Sequence, residues 1–231
     1  MRRVIALTVA AAVSLAAPAA AQDGRALFLE GCATCHGDDA RGLPGQAPNL
    51  HGAGAQAADF YLSTGRMPLA DPHDEPVRAR PAYTDAERRA LVDYVGSLGG
   101  PAVPEVTPEK GSLSEGQELF TSHCAGCHQM VGKGGVVPDA VAPPLQEATP
   151  VQIAEAVRVG PYLMPAFPER QIDRGQLDSI IRYVLSTRTP PDRGGWGIGN
   201  LGPIPEGMVA WLLAGAALLI AVRLLGERSS A

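Results

Sequence analysis

The pattern Cys-x-x-Cys-His stands twice in this chain, at Cys32-Ala33-Thr34-Cys35-His36 and at Cys124-Ala125-Gly126-Cys127-His128. The two frames also agree upstream. Gly24 and Phe28 lead into the first, and Gly116 and Phe120 lead into the second at one constant interval. Matched positions at a fixed interval mark a duplicated unit, so the chain is constrained to two similar domains in tandem.

The repeat continues with looser spacing. Pro48-Asn49-Leu50 answers Pro143-Pro144-Leu145, and Met67-Pro68 answers Met164-Pro165. A helical pattern closes each copy. In the first, Thr84 and Glu87 form a capping box ahead of a Leu91, Tyr94, Val95, Leu98 face, with Gly99-Gly100 as the stop. In the second, Leu177, Ile180, Ile181 and Val184 make the stripe, and Pro190-Pro191 ends it. Helices also precede each Cys pair, at Gly24 to Leu29 and Ser114 to Phe120. No period-2 strand pattern stands out, so the fold class expected is all-α.

Four cysteines in such frames narrow the chemistry. A thioredoxin-like pair wants a βαβ context, which the pattern lacks. A four-cysteine zinc site needs the distant pairs to converge and leaves both histidines without a role. Local disulfides explain the thiols but not the repeated His, Pro and Met. Haem attachment explains all of them. Two thiols on one helical turn reach the two vinyl groups, and the adjacent histidine meets the iron. Each copy therefore predicts one covalently bound haem c, two in all, on Cys32, Cys35, Cys124 and Cys127.

The metal ligands expected are His36 and Met67 in the first copy and His128 and Met164 in the second. A Met thioether favours reduced iron and raises the potential. His73, in the Pro-rich insertion after Met67, is the rival sixth ligand of the first copy. Met130 lies too close behind His128 to reach the opposite face, and Met208 falls in a later apolar segment. His51 and His123 have no counterparts and read as exposed histidines. A proximal histidine needs an acceptor on its other nitrogen. The Pro48 and Pro143 carbonyls are the candidates.

Composition fits a small cofactor-stapled fold. With 27 glycines, 21 prolines and an aromatic fraction of 5%, the chain has few large side chains for a core. The net charge of −5 does not suggest a nucleic-acid partner.

The two ends set the compartment. Arg2 and Arg3, the apolar run Val4 to Ala17, and Ala19 to Ala21 read as a signal peptide over 1–21, or as an uncleaved anchor; on both readings the following residues are translocated. The segment 207–226 is apolar except for Arg223, and at about 1.5 Å per residue it just crosses a hydrocarbon core of about 30 Å. Trp211 suits the interface, and Arg223 and Arg228 put the tail 227–231 in the cytoplasm. The expected layout is haem domains at 22–100 and 113–189, linkers at 101–112 and 190–206, and one C-terminal transmembrane helix in the cell membrane. The haem domains lie on the extracytoplasmic side.

From residue 24 to 188 both repeats resemble class I cytochrome c, with Ala47-Pro48-Asn49-Leu50-His51-Gly52 similar to that family's proline loop. The tail Gly197 to Trp211 resembles the region where the dihaem cytochrome c subunit of the actinobacterial cytochrome bc1 complex meets its membrane. That resemblance implies an electron-transfer subunit of a menaquinol–cytochrome c reductase. Cytochrome b and a Rieske iron–sulfur protein would stand upstream and an aa3-type cytochrome c oxidase downstream. The subunit would do no bond-making chemistry of its own. The alternative is a dihaem electron acceptor for a periplasmic dehydrogenase. A dihaem peroxidase is disfavoured by the two Met-Pro ligands, and a tethered sensor lacks an output domain after Gly226.

Overall fold

Each copy is built on a helix that breaks at its first cysteine. In the computed structural model, which describes residues 23–189 and 203–229, α1 (Gly24–Gly31) ends at Cys32 and α2 (Ala33–His36) starts from it. The second copy repeats the break, with α5 (Leu113–His123), Cys124 and α6 (Ala125–His128). The backbone angles at the two cysteines match closely, φ −122° and ψ −30° at Cys32 and φ −120° and ψ −35° at Cys124. The bonds across them match as well. Cys32 N donates to Phe28 O and Cys124 N to Phe120 O, both at 2.8 Å. Side chains set the helix starts: Asp23 caps α1 and Ser112 caps α5. A good cap is worth about 1 kcal/mol.

The closing helices are α4 (Asp85–Ser97) and α8 (Arg174–Ser186). The capping box read between Thr84 and Glu87 is present. A second joins Asp173 to Gln176. Both helices stop before the expected breakers. Leu98 is already the C-cap of α4, and α8 ends at Ser186, ahead of Pro190-Pro191, which lie outside the described residues. The first helix of each copy crosses its closing helix through a glycine. A Cβ on Gly24 would sit 2.0 Å from Ala90 O, and one on Gly116 1.9 Å from Ser179 O. One turn on, Phe28 meets Tyr94 and Phe120 meets Tyr183, with ring centroids 5.1 and 5.3 Å apart. The predicted stripe of α8 (Leu177, Ile180, Ile181 and Val184) is fully buried, at about 1.5–3 kcal/mol per such side chain.

Between these pairs lie α3 (Gly54–Ser63) and α7 (Pro150–Val159). Among the described residues, two strands depart from the all-helical reading, a short antiparallel hairpin of β1 (Gly135–Val137) and β2 (Ala140–Ala142). Strands this short carry no legible alternation, and their turn residue Asp139 (φ +59°) gave no distinct signal.

The two copies form one unit that ends at Arg188. α3 of the first packs on α7 of the second. Gln152 Nε2 donates to Ser63 Oγ at 3.1 Å. The linker is held at both ends: Gln56 N donates to Pro101 O at 3.2 Å, and Thr107 N and Oγ1 each reach Asp178 at 2.8 Å.

The C-terminal unit is α9 (Pro203–Ser229), which begins four residues before the predicted 207. Its stretch Gly207–Glu227 is long and apolar enough to cross a membrane, and Arg223 pairs with Glu227 at 3.2 Å. The segment 1–21, expected as a signal peptide or an uncleaved anchor, Trp196, most of the expected 190–206 linker and the last two residues lie outside the described residues.

Candidate haem sites

In the second copy the sequence-predicted groups converge. Cys124, Cys127, His128, Pro143 and Met164 all line one cavity of about 410 Å³, a size suited to a cofactor. Phe120, Ile153, Val157, Phe167 and Ile180 form much of its apolar wall. The cavity thus offers thiols, an imidazole and a thioether in an apolar cleft, a donor set that fits haem.

His128 is buried, and its Nδ1 lies 3.0 Å from Pro143 O. A carbonyl only accepts, so Nδ1 carries the proton and Nε2 keeps its lone pair. Burial holds the imidazole below its ordinary pKa, against the opposite pull of the Pro143 carbonyl. Burial, the larger effect, favours the neutral ring, and the Pro143 carbonyl fixes its proton on Nδ1 and leaves Nε2 free. Burial, reinforced by Cys127, pushes the Cys124 thiol up to about 11.

The loop that presents Pro143 is shaped by Gly134. Its amide donates to His128 O at 3.0 Å and its φ is +73°. A Cβ there would lie 2.3 Å from Ala142 O. Gly42 repeats this in the first copy, with its amide 2.7 Å from His36 O and φ +81°. Met164 stands on a loop braced from α7. Phe167 N donates to Val157 O at 2.8 Å, and Arg158 Nη1 donates to Phe167 O and Ile172 O at 2.8 and 2.7 Å. Sequence reading missed Arg158, whose role depends on a fold-back that no local pattern announces.

In the first copy Cys32, Cys35 and His36 stand on the α1–α2 break, and His36 Nδ1 lies 3.0 Å from Pro48 O. Residues Arg41 to Pro48 line a shallow groove beside it. Met67 follows α3 and is half-buried. His73, the rival ligand, is exposed, with Nδ1 3.0 Å from Asp71. His51 is also exposed and bonds Asp39 O at 2.8 Å. His123 is exposed as read, but it also lines the second cavity and meets Phe167 edge-on at 5.8 Å.

Known proteins show the same division. The cytochrome c family profile matches residues 21–99. That of cytochrome c oxidase, cbb3-type, subunit III matches residues 111–184. Cytochrome c domains carry covalently bound haem c. The chain is 29% identical over 185 residues to a cbb3-type cytochrome c oxidase subunit CcoP of Azospirillum sp., covering 70% of this chain and 60% of that one. Two relatives extend much further. A cytochrome bc1 complex cytochrome c subunit of Mycobacterium tuberculosis is 35% identical over 216 residues, covering 89% of this chain and 77% of the relative. One of Corynebacterium diphtheriae is 34% identical over 229 residues, covering 90% and 81%. With two cytochrome c domains, a C-terminal apolar helix and this extent of shared sequence, the chain belongs to the family of cytochrome bc1 complex cytochrome c subunits.

Proposed function

We propose that this chain is the dihaem electron-transfer subunit of a menaquinol–cytochrome c reductase. It takes electrons from a Rieske iron–sulfur protein held with cytochrome b and passes them to an aa3-type cytochrome c oxidase. The observation that carries the reading is the convergence of Cys124, Cys127, His128 and Met164 on one apolar cavity. The repeat extends it to Cys32, Cys35, His36 and Met67. When bound, haem supplies the one-electron couple of its iron.

The protein residues do the rest. The cysteines fix the cofactor through thioethers. His36 and His128 would offer Nε2 to iron, because the Pro48 and Pro143 carbonyls hold their Nδ1 protons. Met67 and Met164 would supply the remaining iron ligands, and a thioether ligand raises the potential of the iron it holds. The apolar wall limits water, and α9 holds the domains at the extracytoplasmic face with the C-terminus in the cytoplasm. No side chain makes or breaks a bond in the transfer.

Purification of the tagged chain from detergent-solubilised membranes tests the reading. Cytochrome b, a Rieske protein and aa3 oxidase subunits should come with it, and the chain should keep two haems through acid–acetone extraction. Recovery with a periplasmic dehydrogenase instead would favour the alternative of a dihaem acceptor. One haem per chain would overturn the dihaem assignment.

A further inference from the structure

The insertion after Met67 has no counterpart of similar length in the second copy, where α8 begins soon after Met164. The middle of this insertion, Glu75 to Arg78, lines the same cavity as His128 of the second copy. Ala79 N donates to Thr64 O at 3.1 Å, which ties the insertion back to the end of α3. Arg78 then reaches across the copies. Its guanidinium donates to Gln152 Oε1 at 3.3 Å and to Glu147 O at 3.5 Å.

Arg66 lines the same cavity from the first copy. It is 8% exposed and its guanidinium carbon lies 5.0 Å over the Phe60 ring. Its Nη1 is buried without a hydrogen-bond partner. A buried charged donor left unpaired is strongly destabilising in general. Here the neighbouring Arg78 cation adds repulsion. Among the lining residues the one carboxylate is Glu75, which is exposed. Two cations supplied by one domain therefore open on the cofactor cavity of the other, and one has a free donor. The arrangement calls for an anion that arrives with the cofactor.

We infer that Arg66 and Arg78 of the first domain bind the propionate carboxylates of the haem held by the second domain. This rests on the reading that the cavity holds haem. Guanidinium is the side chain best matched to carboxylate, through paired N–H donors. The second haem site is then shared: thiols, imidazole and thioether come from its own copy, and the anion clamp comes from the other. Arg66 also directly precedes Met67, so the clamp on one haem and the proposed ligand of the other are consecutive residues.

The full-length chain in detergent, with both haems counted by acid–acetone resistance, is the material for the test. The second haem is identified as the one that loses its sulfur-to-iron band in Met164→Ala. Redox titration of Arg66→Gln should show that haem harder to reduce by about tenfold in the reduction equilibrium, or 59 mV for one electron. A cation lost beside the carboxylates disfavours the added electron. Arg78→Gln should shift the same haem in the same direction by about threefold, without moving the first haem, and it decides the matter if Arg66→Gln does not fold. Arg66→Lys, which keeps the charge, should stay within twofold of wild type. Two covalent haems with the second unmoved in both glutamine variants would overturn the clamp. A wild-type chain with no haem on Cys124 and Cys127 would instead overturn the reading on which it rests.

Discussion

His128 Nδ1 lies 3.0 Å from Pro143 O, and that distance depends on a glycine nine residues before the proline. A Cβ on Gly134 would meet Ala142 O at 2.3 Å and the Pro143 carbonyl carbon at 2.7 Å. Gly134→Ala must therefore push away the loop that fixes the histidine tautomer. Gly45 provides the control, with φ +74° and nothing within 4 Å of its Cβ position. Alanine at Gly45 should lower stability by about 1–2 kcal/mol, the left-handed backbone penalty alone. Alanine at Gly134 should lower it further, and should change the absorption of the second haem. Denaturant melts of the two variants with visible spectra check this. Equal melts with unchanged spectra would remove the role given to the loop.

Arg158 braces the loop that carries Met164. Arg158→Ala leaves the Phe167 and Ile172 carbonyls without their charged donor and should lower stability by about 1.5–3 kcal/mol. The sulfur-to-iron band assigned to Met164 should weaken in the oxidised protein. Met164→Ala and Met67→Ala should each remove one such band outright and lower one potential. If the band of the first domain persists in Met67→Ala, another group, with His73 the first candidate, is the ligand there.

Glu155 of α7 is completely buried, and no hydrogen bond of good geometry reaches either carboxyl oxygen. Burial first, then the Asp59 carboxyl of α3, push it up to about 9. Asp59 in turn lies 3.7 Å from Arg88, which also pairs with Asp85 at 3.1 Å. The folded protein thus holds a proton on Glu155 that the unfolded chain releases near pH 4.5. The stability from this neutral carboxyl is fully present below that pH, declines as pH rises toward about 9, and is absent above it. Denaturation midpoints at pH 6 and pH 9 should therefore differ, and Glu155→Gln should shrink the difference. A pH dependence unchanged in that variant would show that other groups produce it.

The repeat made much of this architecture readable. Cys32 and Cys124 fix the helix breaks, the Met-Pro pairs mark corresponding loops, and the stripe Leu177 to Val184 announced its buried face. The Pro48 and Pro143 carbonyls were predicted as acceptors because a metal-binding imidazole needs one, and both stand 3.0 Å from their histidines. Arg66, Arg78, Arg158 and Glu155 were not legible. Their roles come from contacts between segments distant in sequence, and a charged residue in a loop reads by default as solvated. The hairpin at Gly135–Ala142 escaped because strands of three residues hold too few positions to show a period.

The anchor supplies the last prediction. α9 is long and apolar enough over Gly207–Glu227 to cross a membrane, and tethering replaces bulk diffusion by a high local concentration near fixed partners. Truncation after Thr189 should leave both haems attached and chemically reducible. It should sharply lower quinol-driven oxygen uptake in membranes lacking the full-length protein. Undiminished uptake at native abundance would favour a freely diffusing carrier.

The bond from Gln152 to Ser63 has a consequence for how this duplication can be cut. Gln152 closes the capping box of α7 and also grips the end of α3, so a helix start in one copy and the seam between copies share one side chain. Severing the polypeptide at the repeat boundary near Gly100 would not yield two autonomous proteins. The downstream fragment would lose a wall of its own cavity, and the upstream fragment would carry Arg66 and Arg78 with nothing to face. The genetic unit that was copied and the physical unit that folds have become different objects.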